Sequence, residues 1–100
     1  MISKILEEFP DIIVISDEVY NFLTFDDKQH VCFATLDNNW WKTISIYSGG
    51  KLFNATGWKI GWSIGPKPLI YMGGVIQNTV NYCLNTPGQV AMSNSLERCW

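Results

Sequence analysis

Ile2, Ile5, Leu6 and Phe9 recur at i, i+3, i+4 and i+7, so Ser3 to Phe9 reads as the last turns of an amphipathic helix stopped at Pro10. The period then changes. Ile12 to Ile15 is an unbroken β-branched run between Asp11 and Asp17, which predicts a strand buried on both faces, as in a parallel sheet. Asp17 falls just beyond its C-terminal end. Tyr20 to Phe25 reads as a short extended segment before the polar turn Asp26-Asp27-Lys28-Gln29-His30, which makes His30 an exposed loop residue. Thr43 to Tyr47 is a further short strand, with Ile44 and Ile46 on one face, and it runs into Ser48-Gly49-Gly50-Lys51. Lys59 to Ile64 gives a third strand, ended by Gly65-Pro66. From Pro68 the spacing of Leu69, Met72, Ile76 and Val80 predicts a helix to about Asn81, weakened at Gly73-Gly74. Gln89 to Leu96 makes a second helix after the Asn85-Thr86-Pro87-Gly88 turn. Strands with covering helices point to an α/β architecture, which by itself says nothing of function.

Composition narrows the function classes. With 47% hydrophobic, 14% aromatic and 16% charged residues, the chain has a folding composition. Its net charge is −2 and it has no basic tract, so neither nucleic acid nor an anionic membrane surface is expected as a partner. The longest aliphatic run, Ile12 to Ile15, is far short of the roughly 20 residues of a membrane span. Met1 to Pro10 lacks the pattern of a secretory signal, with Glu7 and Glu8 where an apolar stretch would fall. The expected setting is therefore reducing and cytoplasmic, with the mitochondrion as the alternative. Cys32, Cys83 and Cys99 form no C-x-x-C pair and read as free thiols. Together with the lone His30 they do not supply the four closely spaced ligands of a zinc site, so no metal is expected.

Gly49-Gly50-Lys51 invites a phosphate-loop reading that fails on spacing. A Walker A loop needs Gly where Ser45 stands and Ser or Thr where Leu52 stands. Gly57, Gly61 and Gly65 recur every four residues, and on a strand that spacing leaves one face bare. Such a face admits either a ligand or a closely packed helix. Trp58 and Trp62 share a face and read as core. More informative is the set Asp17, Tyr20, Ser48, Lys51 and Lys59, which falls at the ends of two strands and the start of the third. Open α/β sheets bind ligands at strand C-termini, although a lone loop lysine is commonly just solvated.

The stretches VISDEVYNFLTFD, TISIYSGGKLFNATGWKIGWSIGP and QNTVNYCLNTPGQVAMSNSLE closely resemble class I pyridoxal-phosphate-dependent aminotransferases. Within that family they resemble the branch of kynurenine aminotransferases and cysteine-S-conjugate β-lyases. Lys51 follows Asp17 by 34 residues, Tyr20 follows Asp17 by three, Ser48 precedes Lys51 by three, and Lys59 follows it by eight. All four intervals fit the family pattern. The resemblance implies that Lys51 attaches to the cofactor aldehyde and moves the proton at the substrate α-carbon. It implies that Asp17 pairs with the pyridine nitrogen and keeps it protonated. Tyr20 would hydrogen-bond the 3′-oxygen, and Ser48 and Lys59 would bind the phosphate.

The implied fold is a partial three-layer α/β sandwich, a segment of the fold-type-I large domain. On this reading residues 1–100 form part of the large, cofactor-binding domain, and its N-terminal part and the C-terminal small domain are absent. The implied reaction transfers an amino group between an amino acid and a 2-oxo acid, in a homodimer when full length. A cysteine-conjugate β-lyase, which uses the same carbanion, is the alternative activity. A non-catalytic truncated remnant is the alternative of another class, because the substrate-carboxylate Arg of the family has no counterpart in this sequence.

Overall fold

The computed structural model describes residues 2–99. Its first helix, α1 (Ile2–Glu7), ends short of Pro10 as the apolar spacing predicts. It is tied to a 3-10 turn at Asn39–Lys42: Asn39 Nδ2 donates to Ser3 Oγ at 2.7 Å, and Lys42 Nζ donates to the Leu6 carbonyl at 3.1 Å.

Three strands form one sheet in the order β1 (Val14–Asp17), β2 (Thr43–Ser48), β3 (Gly61–Ile64). β1 and β2 are parallel, with Val14 opposite Thr43 and Asp17 opposite Ile46. β3 runs antiparallel to β2, with Ser45 opposite Ile64 and Ser48 opposite Gly61, so the sheet is mixed rather than wholly parallel. Alternation along β2 places Thr43, Ser45 and Tyr47 on one face. Thr43 and Ser45 are fully buried there, and Tyr47 stacks on Trp62 with ring centroids 5.8 Å apart and planes 12° from parallel.

Several sequence expectations are corrected. The strand begins at Val14 and not at Ile12, and its faces are not both covered: Ile13 is 49% and Ile15 67% exposed. The β-branched composition describes a strand suited to burial on two faces, and here the face of Ile13 and Ile15 is left open. Tyr20 to Phe25 is not extended, because Asn21 N–H donates to the Glu18 carbonyl and Leu23 N–H to the Tyr20 carbonyl, which turn the chain. Gly57, Gly61 and Gly65 do not line one strand face. Gly57 lies in a 3-10 turn (Thr56–Trp58), Gly61 opens β3, and Gly65 follows it. Trp58, in that turn, is 53% exposed and not part of the core.

A four-residue helix that periodicity could not reveal, α2 (Gly49–Leu52), follows β2 directly. The two longer helices are α3 (Lys67–Val80) and α4 (Thr86–Arg98). Helix α3 runs unbroken through Gly73-Gly74, where an added Cβ would meet nothing. Asn85 Oδ1 caps α4 by accepting the Gly88 N–H at 2.7 Å. The large buried apolar side chains are Ile60 and Met92, beside Ala34, whereas Ser3, Glu18, Asn39, Thr43 and Ser45 are buried polar groups. Such a core is small. The radius of gyration, 15.3 Å, exceeds the roughly 13 Å of a closed 100-residue domain, and the extents of 44 × 41 × 20 Å are those of a slab.

Candidate active site

The strand directions gather the chemistry-bearing residues at one end of the sheet. Because β1 and β2 are parallel, their last residues, Asp17 and Ser48, lie at the same end. Because β3 runs the other way, its first residue Gly61 is opposite Ser48, and Lys59 lies two positions before it. Asp17 Oδ1 accepts the Val19 N–H at 3.3 Å, which turns the chain out of the strand. Asp17, Ile46 and Ser48 share the sheet face opposite Tyr47.

Ser48 caps α2, its Oγ accepting the Lys51 N–H at 3.3 Å. The turn that carries Lys51 is held from two sides. Gly49 N–H donates to the Ile60 carbonyl at 3.1 Å, while Ala55 N–H and Thr56 Oγ1 donate to the Gly50 carbonyl at 2.9 and 3.3 Å. Gly49 and Gly50 are buried, with Met92 of α4 packed on the first and the Thr56 backbone against the second. At Gly50 the fixed backbone of Thr56 leaves no room for a Cβ, whereas at Gly49 the flexible Met92 side chain would have to move aside.

Tyr20 and Lys51 line one cleft of about 460 Å³, together with Phe22, Leu23, Asn54 and Thr56. Lys59 borders a different groove of about 490 Å³, beside Ile46, Gly61, Ser63 and Gly73. The structure thus brings Tyr20 and Lys51 to one opening, ties Ser48 to Lys51 by a hydrogen bond, and sets Asp17 at the neighbouring strand end. It does not bring Lys59 to that cleft. Lys59 also has a left-handed backbone, φ 55°, where it ends the Thr56–Trp58 turn.

Sequence reasoning missed Glu18. It is 4% exposed, and its Oε1 accepts from Ser16 Oγ at 2.8 Å and from the Phe33 N–H at 3.2 Å. Its Oε2 meets Nε2 of His30, so this loop histidine, although exposed, is engaged. Burial pushes the Glu18 pKa up, but the hydrogen bonds from Ser16, Phe33, His30 and Cys32 outweigh it and hold the carboxyl below the ordinary value. Beside it, Cys32 Sγ lies 3.6 Å from both Ser45 Oγ and Tyr47 Oη. Burial first, then Cys32 and the Glu18 charge, push the Tyr47 hydroxyl up to about 12. Strand alternation carried the signal: if Asp17 faces one way, the next residue faces the other.

All three cysteines are free. Among the described residues, no group of three or more His, Cys, Asp or Glu side chains could hold a metal ion, and no helix is long and apolar enough to cross a membrane.

Comparison with known proteins identifies the family of the chain. Residues 1–98 match the family model for aminotransferases of class I and II. The chain is 49% identical over 92 residues to a kynurenine–oxoglutarate transaminase of Dictyostelium discoideum, covering 89% of this chain and 20% of that protein. It is 43% identical over 89 residues to kynurenine–oxoglutarate transaminase 1 of Homo sapiens, covering 88% of this chain and 21% of that protein. The chain thus spans about a fifth of the length of these curated relatives. In structure it resembles N-succinyldiaminopimelate aminotransferase of Mycobacterium tuberculosis, with a TM-score of 0.89 and 38% identity over 96% of this chain and 25% of that one. The chain belongs to the aminotransferases of class I and II.

Proposed function

We propose that this chain is the cofactor-holding segment of a pyridoxal-phosphate-dependent transaminase, acting in its complete form on an aromatic amino acid such as kynurenine and on a 2-oxo acid. Members of its family generally depend on pyridoxal phosphate. The single observation that carries the reading is the cleft shared by Tyr20 and Lys51, at the sheet end that also bears Asp17 and Ser48. Its volume suits a small cofactor, and its surroundings offer an amine, a hydroxyl and a carboxylate of the types the group needs.

When bound, the cofactor supplies a ring that withdraws the electrons left at the substrate α-carbon. The Lys51 amine is the covalent anchor and the base that moves the α-proton. Asp17 holds a proton on the ring nitrogen, because a carboxylate beside it favours the charged form. Tyr20 donates to the ring's phenolic oxygen. Ser48 would donate to the phosphate, and Lys59, which lies in the adjoining groove two residues before the Gly61 that faces Ser48, would supply a compact cation from that side and not from within the cleft. The exposed apolar faces around Ile13 and Ile15 are covered by the rest of a large domain, and the complete protein pairs with a second copy in a reducing, cytoplasmic setting.

The test is a chimera in which this chain replaces the matched fifth of the Dictyostelium discoideum relative. Borohydride reduction with pyridoxal phosphate, then peptide mapping, is expected to label Lys51. Amino transfer from kynurenine to 2-oxoglutarate is expected, and to vanish in Lys51→Ala. A label confined to Lys42 or Lys59 would overturn the assignment.

A further inference from the structure

We infer that Glu18 is a positioning residue: its buried carboxylate closes the loop of residues 19–33 onto the sheet and so fixes Asp17 and Tyr20 toward the cofactor. The inference rests on the function proposed above. None of the roles assigned so far uses this carboxylate, yet it is the most deeply buried charged group of the described residues. A carboxylate is costly to bury unless its oxygens are hydrogen-bonded. Here the partners come from the strand that precedes the loop and from the loop's far end. Ser16 lies two residues before Glu18, and His30 and Phe33 lie 12 and 15 residues after it.

The backbone of Glu18 does the complementary work. Its N–H donates to the Ile46 carbonyl at 2.9 Å, which carries the β1–β2 pairing one residue beyond Asp17. Its carbonyl accepts the Asn21 N–H at 3.0 Å, which closes the turn containing Tyr20. One residue therefore ends the strand that presents Asp17, starts the turn that presents Tyr20, and pins the far end of the loop. Asp17 and Tyr20 flank it in the chain, so a Glu18 side chain released from its pocket changes the backbone of both. A carboxylate is suited to this because Oε1 must accept from two donors at once, the Ser16 hydroxyl and the Phe33 amide, while Oε2 meets the His30 ring.

The experiment uses the chimera described above with Glu18→Ala, Glu18→Gln and His30→Ala. Two readouts other than turnover are taken: hydrogen exchange of residues 19–33 without cofactor, and the visible absorption band of bound pyridoxal phosphate. In Glu18→Ala, exchange across the loop is expected to rise about tenfold or more, the band to shift, and cofactor affinity to fall about tenfold, the scale of one lost charge-assisted hydrogen bond. Glu18→Gln, which can still accept from Ser16 and Phe33, is expected to recover most of both readouts. His30→Ala removes a partner at an exposed position, so the fold survives, and is expected to move both readouts in the same direction by less. Faster exchange with a parental band in Glu18→Ala would overturn the inference, because the loop would then be held without consequence for the cofactor. If Glu18→Ala does not fold, a parental band in His30→Ala overturns it equally. Absence of a Lys51 label in the unsubstituted chimera would defeat the cofactor reading itself, and is seen before any Glu18 variant is made.

Discussion

A Cβ on Gly50 would lie 2.8 Å from the Cα of Thr56, a backbone atom that cannot swing aside. Gly50 sits in the turn that presents Lys51, so the contact couples packing to the candidate site. Helix propensity alone would favour alanine at this position by about 1 kcal/mol, but forcing an extra methyl into a closed site costs about 1 to 3 kcal/mol. The clash wins. Gly50→Ala in the chimera is expected to lower the melting temperature and to weaken cofactor retention together. Gly57→Ala is the control, because a Cβ there meets nothing within 4 Å, and it is expected to be neutral or slightly stabilising. Equal melting temperatures for the two variants would refute the coupling.

Much of this site was legible because its elements leave short-range signals. The Ser48-Gly49-Gly50-Lys51 run after β2 and the acidic residue at the C-terminal end of a β-branched strand are local features, and the fold keeps them, with Asp17 as the last residue of β1 rather than the first beyond it. Thr86 to Gly88, read as a turn, are instead the first turn of α4, capped by Asn85. What the sequence hid is long-range. The Glu18 pocket is built from partners 12 and 15 residues away, and no period marks them. The third strand, read over Lys59 to Ile64, begins only at Gly61, because Lys59 is left-handed and ends the Thr56–Trp58 turn, a backbone state that no residue period marks. Burial was misjudged at Ile15 for a related reason. β-branched residues report the environment a strand is suited to, and the segments that would supply it are not among those that cover this sheet.

Asp17→Asn separates binding from chemistry. The phosphate contacts proposed for Ser48 and Lys59 are untouched by the change, while the ring nitrogen loses the carboxylate that keeps it protonated. Turnover in the chimera is expected to fall about a hundredfold or more, the scale of losing one well-placed electrostatic partner, with cofactor affinity changing by less than about tenfold. Cofactor titration and steady-state rates measured on one preparation decide it. Equal losses would make Asp17 structural.

Stability is expected to fall at both pH extremes for identifiable reasons. Glu18 has a lowered pKa in the fold, so its contribution is present above the ordinary value of 4.5 and is lost as pH falls below it. Tyr47 is raised from 10.0 to about 12, so its contribution is present below pH 10 and is lost as pH rises toward 12. Melting temperature followed across pH should show both limbs. Glu18→Gln is expected to flatten the acid limb and Tyr47→Phe the alkaline one. An alkaline limb of unchanged steepness in Tyr47→Phe would remove Tyr47 as its source.

Produced by itself, the 100-residue chain is expected to self-associate and to show no transaminase turnover. None of the residues of α3 is buried, and Tyr71, Met72, Ile76 and Val80 are each more than half exposed. At the sheet, β1 is an edge strand whose neighbouring Ile13 and Ile15 face outward, and β3 at the other edge exposes Ile64. Open strand edges beside uncovered apolar side chains are templates for pairing with another chain. A charge of −2 gives little repulsion to oppose it. Sedimentation of the isolated chain should therefore give a mass that grows with concentration, whereas the chimera, whose relative supplies the missing cover, should sediment as one species. Exchange between an amino donor and a 2-oxo acid should not exceed that of a Lys51→Ala control. A monodisperse monomer that unfolds cooperatively would show that these faces need no partner, and turnover abolished by Lys51→Ala would show that the segment carries a complete active site.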